Sequence, residues 1–450
     1  MSIKGKPMAT EFWNEKIETM TSEKLRREVE RPALEAQLAY VAKHSVFYRN
    51  KWKDAKPSAE EAEFSKLPFT EKAELIADQE ARPPFGTNLC AEQAQLKRIH
   101  RTSGSTGRPL FLALTEEDIR SITECGARCF WAAGLRPEDV VFHCLNYCLW
   151  IGGYTDHQSL ETTGAAVVPY GTGNSVGLLE SILYLKPTAI HCTPSYLSKL
   201  EALLHSEFGK QPKDLGLKKG FFGGEGGLEN PQLRKKVEET WGIRAMNANY
   251  GVSDALSMIG SECRERDGLH FMGQGHLHVE LIDPVMLKNV PIEEGARGEL
   301  VFTNIRKQAQ PLVRFRSHDV VEIVSHEKCR CGRTSFRFHV IGRSDDLLVV
   351  KGVNFFPSSV GKVLVQFLDG LNGEFQIVVN DAPPIETLKI RLEHRARLSP
   401  SQIEAIKESI QHKMKSKLFI NPELQFIPEG SLDKSADGKV KRVVRQTQTA

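Results

Sequence analysis

The chain has 450 residues, 40% of them hydrophobic and 26% charged, enough to bury a large core and to divide into at least two domains. A formal net charge of +3 is nearly balanced, which gives no reason to expect nucleic acid or a membrane as a partner. There is no apolar run of bilayer length and no secretory core in Met1–Thr10, and nine scattered cysteines argue against a disulfide framework, so a cytoplasmic protein is expected.

Residues 11–50 read as helical, with Leu25, Val29, Leu34, Leu38 and Val41 near helical spacing and Pro32 opening a new helix. A basic-apolar segment, Lys97–Arg101, then leads into Thr102, Ser103, Gly104, Ser105, Thr106, Gly107, Arg108 and Pro109. Glycines let successive N–H groups point at an anion, and hydroxyls add donors or face a magnesium ion. The run suits a polyphosphate cradle, although it is not a Walker A loop; a flexible surface linker is the alternative.

Beyond it, apolar runs alternate with helical patterns. Val140–Leu145, Ala165–Pro169 and Ala189–Cys192 read as buried strands, and 175–185 and 195–208 as helices, which predicts βαβ units and a mostly parallel sheet. Residues 276–282 and 297–303 read as more exposed strands. A boundary is expected near Arg343–Asp346. After it, Leu347–Val350, Phe375–Val379, Leu388–Leu392 and a helix from Pro400 to Leu418 predict a small α+β domain.

Cys263, His270, Cys329 and Cys331 form a separate constellation. Three thiolates and an imidazole match a closed tetrahedral structural Zn²⁺ site, with two hairpin-like segments each supplying two ligands. Free thiols beside an unrelated histidine are the alternative. Cys144, Cys148 and Cys192 lie in apolar runs and are expected to be packed.

Further motifs follow in order: Phe222–Gly226, Asn249–Asp254, Arg314–Asp319, Ile341–Asp346 and Asp437–Arg442. With the hydroxyl-glycine run, this ordered set resembles the adenylate-forming superfamily of acyl-CoA synthetases, peptide-synthetase adenylation domains and luciferases. Within it the chain is most similar to the phenylacetate-CoA ligase family. That likeness also rests on Leu67–Thr70 with Pro84–Gly86, on Thr193–Tyr196, on Cys329–Arg333 and on Gly352–Pro357, and it spans nearly the whole chain.

The resemblance implies a large α/β adenylation domain of mostly parallel sheets, residues 1–343, and a mobile α+β lid, residues 344–450. It implies ATP- and Mg²⁺-dependent activation of a small carboxylic acid, of aromatic type, to an acyl-adenylate, then transfer to coenzyme A. The loop from Thr102 to Gly107 would hold the β- and γ-phosphates. Arg108 stands where the family has Lys. Gly224, Glu225, Asn249, Tyr250 and Gly251 resemble the adenine pocket, with Tyr250 offering a ring to stack; core packing is its alternative. Asp254 takes the place of a family Glu that ligates Mg²⁺, one methylene short, and capping of a following helix competes. Asp319 is the ribose candidate, and His318 before it reads as structural. Arg343 would reach phosphate or ribose, and Asp345 would be the hinge. Lys439 matches the lid's catalytic lysine, with Lys441 competing. Gly352, Val353 and Asn354 would line the coenzyme A tunnel. Tyr147, Trp150, Ile151, Gly152 and Gly153, with Phe222 and Ala248 at the far wall, would form the acyl pocket, and ordinary packing suits them nearly as well. The family also admits a homodimer. Two rival functions remain open at this stage. One is an adenylating ligase that serves a carrier protein, amine or hydroxyl. The other is a non-catalytic nucleotide-binding regulatory module.

Overall fold

The computed structural model describes residues 10–53, 55–102, 109–346, 348–350, 353–379, 385, 388–395, 398–418, 420–432 and 440–445. Its centre is one eleven-stranded sheet. From one edge the strands are Leu277–Ile282, Arg297–Asn304, Phe315–Ser325, Arg337–Arg343, Leu269–Phe271, Leu256–Ser261, Arg244–Val252, Lys219–Gly223, Ala189–Cys192, Val140–His143 and Ala166–Pro169. The last five pair in parallel, and the remaining pairings are antiparallel.

The parallel half follows from composition. Ala189–Cys192 is buried throughout, as a strand covered on both faces must be. Helices Ile151–Thr162, Ser175–Leu185, Pro194–Phe208 and Pro231–Trp241 make the crossovers. Asn174 and Asn230 cap two of them through side-chain oxygens. Gly209, at φ 60°, lets the chain leave a third in the left-handed region. Ala166–Pro169 is not buried as expected. It is the edge strand, with Ala166 and Pro169 exposed, where a proline costs no ladder bond.

The antiparallel half corrects a second expectation. Residues 277–282 and 297–304 are mostly buried, with Leu300, Val301 and Phe302 fully enclosed. Arg297–Asn304 has a strand on each side, and Leu281, Leu300 and Phe302 join one core with Ile259, Phe271 and Phe338. Two acidic residues within these strands pair internally rather than face water. Glu280 binds Arg314 and Glu299 binds Arg316.

The N-terminal helices pack on this half. Helix Arg31–His44 carries Pro32 in its first turn and buries Leu34, Leu38 and Val41 against Tyr48, Trp52 and Val313. C-terminally, Leu371–Val379, Lys389–His394, Glu423–Pro428 and Val443–Arg445 form a separate four-stranded sheet. Helix Pro400–Leu418 buries Ile410 and Met414 in a core of their own with Phe375, Ile377 and Leu392.

Candidate active site

Thr102 ends the Leu96–Arg101 strand and pinches the hydroxyl-glycine loop at its base. Its N–H donates to the Leu110 carbonyl at 2.9 Å, and its Oγ1 accepts from the Leu110 N–H at 3.0 Å. Ser103, Gly104, Ser105, Thr106, Gly107 and Arg108 lie outside the described residues. Helix Lys72–Ala81 braces the far side of the pinch, because Gln79 donates to the Phe111 carbonyl at 2.8 Å and accepts from its N–H at 2.9 Å.

The Gly223–Glu225 and Asn249–Gly251 motifs meet at the carboxyl end of the parallel strands, where open sheets of this kind bind ligands. Two of these glycines are needed for close approach. A Cβ on Gly223 would stand 2.5 Å from that of Asn249, and one on Gly251 would stand 1.7 Å from the Ser257 carbonyl oxygen. Gly224 turns at φ 79°. Glu225 accepts from the Ser195 N–H and hydroxyl at 3.2 and 2.5 Å. Asn249 donates to Asp156 at 2.5 Å, and burial holds that enclosed carboxyl well above the usual range.

The Tyr250 hydroxyl donates to Asp319 Oδ2 at 2.8 Å while its ring edge meets Phe338 at 5.4 Å. Arg343 Nη1 donates to the other Asp319 oxygen at 3.1 Å, and its Nε and Nη2 grip Asp345 at 2.9 and 2.8 Å. Burial raises the Asp319 carboxyl, and Arg343 and then Tyr250 pull it back. The adenine motif, the ribose candidate and the expected hinge are therefore one chain of contacts.

Asp254 sits in the turn between strands Arg244–Val252 and Leu256–Ser261, so it caps no helix; that alternative is overturned. Lys72 reaches its Oδ2 at 3.0 Å, the buried Lys307 ammonium binds its carbonyl at 2.7 Å, and Oδ1 is buried without a partner. His318 is built in rather than free. Its Nε2 faces Glu71 at 2.9 Å and its Nδ1 faces Ser344 at 3.0 Å. Arg316 spans Glu71 and the enclosed Glu299, and Ser344 donates to Glu299 at 2.7 Å. Sequence reasoning missed Glu71, Lys72, Glu299 and Arg316. The available signal was position, since Glu71 and Lys72 directly follow the Leu67–Thr70 motif.

Trp150 stands at the start of helix Ile151–Thr162 and bridges to Arg101 in the loop hairpin. Tyr147 bonds His157 at 3.0 Å. Gly153 is demanded by packing, since its Cβ would meet the Asn146 carbonyl oxygen at 2.1 Å. Gly152 is not, because only Asp156 comes within reach, at 3.7 Å. Phe222 and Ala248 do not share a wall. Phe222 packs with Leu200 and Trp241, and Ala248 packs in a different core cluster with Phe130 and Met258. Two enclosed histidines, absent from the sequence reading, support this region. His143 Nε2 donates to the Gly153 carbonyl at 2.7 Å, so its Nδ1 must accept, at 2.9 Å, from His191. Burial keeps both rings neutral.

The four expected metal ligands come together. Their ligand atoms all lie within 4.8 Å of one another, and all four residues are buried. Cys263 and His270 flank one turn, and Cys329 and Cys331 sit in another. Cys263 Sγ is 3.9 Å from Cys329 Sγ, and Cys331 Sγ is 3.5 Å from His270 Nε2. Ser335 holds the opposite ring nitrogen of His270 at 3.1 Å, which aims Nε2 at the sulfurs. Buried Arg333 lies 3.7 Å from Cys331 Sγ and pairs with Glu18 at 2.7 Å. Cys144 and Cys192 are packed as expected; Cys148 is exposed, in the bend before helix Ile151–Thr162. Lys439 and Gly352 lie outside the described residues, Val353 and Asn354 form a short strand, and Lys441 is exposed. A cleft of about 1070 Å³, lined by Glu225, Arg343, Asp346, Lys362, Arg395 and Arg442, opens between the large sheet and the C-terminal one.

Residues 21–305 match the family model of the AMP-binding enzymes, and residues 352–446 match the AMP-binding enzyme C-terminal domain. A phenylacetate-coenzyme A ligase of Thermus thermophilus is 31% identical over 96% of this chain and 99% of its own length. The chain belongs to the phenylacetate-CoA ligase family of AMP-binding enzymes. A second phenylacetate-coenzyme A ligase, from Escherichia coli, is 30% identical over 95% of this chain and 96% of its own. Among solved members of the superfamily, a 2-hydroxyisobutyryl-CoA ligase carrying 2-HIB-AMP in the postadenylation state superposes with a TM-score of 0.86 at 27% identity. It covers 99% of this chain and 94% of that one. The same ligase with coenzyme A, in the thioesterification state, superposes at 0.70. As an AMP-forming acid–CoA ligase, the chain activates a carboxylic acid as its adenylate and passes the acyl group to coenzyme A. Among the described residues, no helix is long and apolar enough to cross a membrane.

Proposed function

We propose that the acid is a small aromatic carboxylate, that the chain works with Mg²⁺ and carries a structural Zn²⁺, and that it divides after Arg343 into a catalytic body and a lid. The observation that supports the division into body and lid is the contact chain from Tyr250 through Asp319 and Arg343 to Asp345, which would tie a nucleotide pocket to a hinge. The open face of Gly152, where a Cβ would meet only Asp156 at 3.7 Å, supports a flat acyl group, and the phenylacetate ligase relatives favour the same class.

In the first step a carboxylate oxygen attacks the α-phosphorus, the bond to the bridging oxygen breaks, and pyrophosphate leaves. The loop closed by Thr102 would offer donors to the departing phosphates, and Asp319 would accept from ribose hydroxyls. Lys439 would bring its ammonium to the two reacting anions. Asp254 fits a cation, because its buried Oδ1 lacks a partner among the described residues; Mg²⁺ there would neutralise phosphate charge. In the second step the thiolate of coenzyme A attacks the acyl carbonyl and AMP leaves. The cations Lys362, Arg395 and Arg442 along the cleft suit an anionic acceptor. The closer superposition on the postadenylation form supports a lid placed for the first step. The Cys263–His270–Cys329–Cys331 cluster fits Zn²⁺ in number, softness and spacing. Free cysteines support a cytoplasmic setting, and a homodimer is tested by light scattering.

The deciding experiment is ATP–pyrophosphate exchange across aryl, arylacetic and short aliphatic acids, wild type beside Lys439→Ala. Exchange with an aromatic acid, reduced roughly 10²-fold or more in the variant, is the expected result. Exchange confined to aliphatic acids overturns the substrate class, and an unaffected variant moves the role to Lys441.

A further inference from the structure

Lys72 has a feature that structural pairing alone leaves unexplained. Its ammonium holds one oxygen of Asp254 at 3.0 Å, and the side chains are 28% and 7% exposed. The other Asp254 oxygen is enclosed and has no partner among the described residues. The buried Lys307 ammonium binds the Asp254 backbone carbonyl at 2.7 Å and not the carboxylate, so the second carboxylate oxygen is unmet, which costs free energy unless another cation shares it.

The helix that begins at Lys72 is fixed at several points of the nucleotide site. Glu71, its capping residue, is held by Arg316 and by His318, the neighbour of Asp319. Gln79, further along, is bonded to Phe111 at the base of the phosphate loop. Leu75 and Gln79 line a small cavity with Leu110, Leu112 and Asp254, so helix, loop base and carboxylate share one wall. The Lys72 stem is a flexible chain, and its head is partly open to solvent.

We propose that Lys72 is a positioning residue for the adenylation step, acting as the resident counter-ion of Asp254. It keeps the carboxylate aimed in the empty enzyme. The divalent cation that arrives with the nucleotide takes the other oxygen, so two like charges meet on one carboxylate and cation and ammonium compete for Asp254. This rests on the reading of Asp254 as a metal ligand.

Competition has a sign. Removing the ammonium should make the divalent cation bind more tightly, even though the enzyme is less well ordered without it. The test is calorimetric binding of ATP to the full-length protein at a series of Mg²⁺ concentrations, for wild type, Lys72→Gln, Lys72→Arg and Asp254→Asn. The Mg²⁺ concentration that half-maximally tightens ATP binding should fall about threefold to fivefold in Lys72→Gln, the scale of one partly exposed ion pair. It should stay near wild type in Lys72→Arg, which keeps the charge and guards against loss of fold. An unchanged or higher midpoint in Lys72→Gln, with Asp254→Asn clearly shifted, overturns the proposal and leaves the Asp254 reading standing. A midpoint indifferent to Asp254→Asn removes that reading and the proposal with it. A merely structural Lys72 would lower the melting temperature and leave the Mg²⁺ midpoint where it was.

Discussion

Tyr250→Phe removes one oxygen and nothing else. The ring keeps its edge contact with Phe338 at 5.4 Å, while the 2.8 Å hydrogen bond to Asp319 is lost. Hydrogen bonds to a charged group contribute about 1.5–3 kcal/mol. Arg343 still holds the other carboxylate oxygen at 3.1 Å, so the low end, about 1.5 kcal/mol, applies. At ~1.4 kcal/mol per decade, KM for ATP should rise roughly tenfold. The pH profile should move as well. Burial already lifts the Asp319 carboxyl, and the Tyr250 hydroxyl is one of the groups drawing it down. Losing that donor raises it further, so the acidic limb of kcat/KM for ATP should shift to higher pH. Pyrophosphate exchange at several pH values reads both effects. If the melting temperature falls while KM stays within twofold and the acidic limb does not move, the tyrosine only packs, and Asp319 is not the ribose ligand.

Other outcomes follow from the same contacts. The purified protein should hold about one zinc per chain by elemental analysis, and Cys331→Ser should lose it. Because Arg333 and Thr334 bind Glu18 and its carbonyl beside that cluster, the variant should be clipped faster by protease near residues 10–20, and identical digestion patterns would detach the metal from the N-terminal segment. Stability should also depend on His318. Burial opposes its charge, but Glu71 and Glu299 outweigh burial and raise its pKa. The stabilisation is then complete below about pH 6.5, the unfolded value, and fades as pH rises through the folded one. Urea midpoints of His318→Gln should show a flatter decline over that window, and parallel curves would show that the histidine stays neutral.

How much of this was legible in sequence depended on the range of the interactions. Ala189–Cys192 and the helices beside it announce themselves, because a strand covered on both faces needs an unbroken apolar run. The burial of Glu280 and Glu299 could not be read locally. Charged residues in a strand suggest water until Arg314 and Arg316 are placed opposite them. Glycine motifs and the paired cysteines also carry local signatures. Lys72 carries none, for its meaning comes from a carboxylate 182 positions away. Phe222 and Ala248 were grouped by motif alone, and strand geometry separates them into different cores.

The Arg343 guanidinium has a further consequence as a shared resource. It donates at once to Asp319 and to Asp345. Under the proposed rotation about Asp345, opening of the two bonds there would leave the guanidinium to Asp319 alone. Nucleotide occupancy and domain rotation would then be linked quantities. If the rotated state binds adenylate more tightly than ATP, forming the adenylate shifts the rotation toward that state by the same factor, as thermodynamic reciprocity requires. Progress along the two half-reactions would be set by which anion shares one side chain, without any separate signalling device.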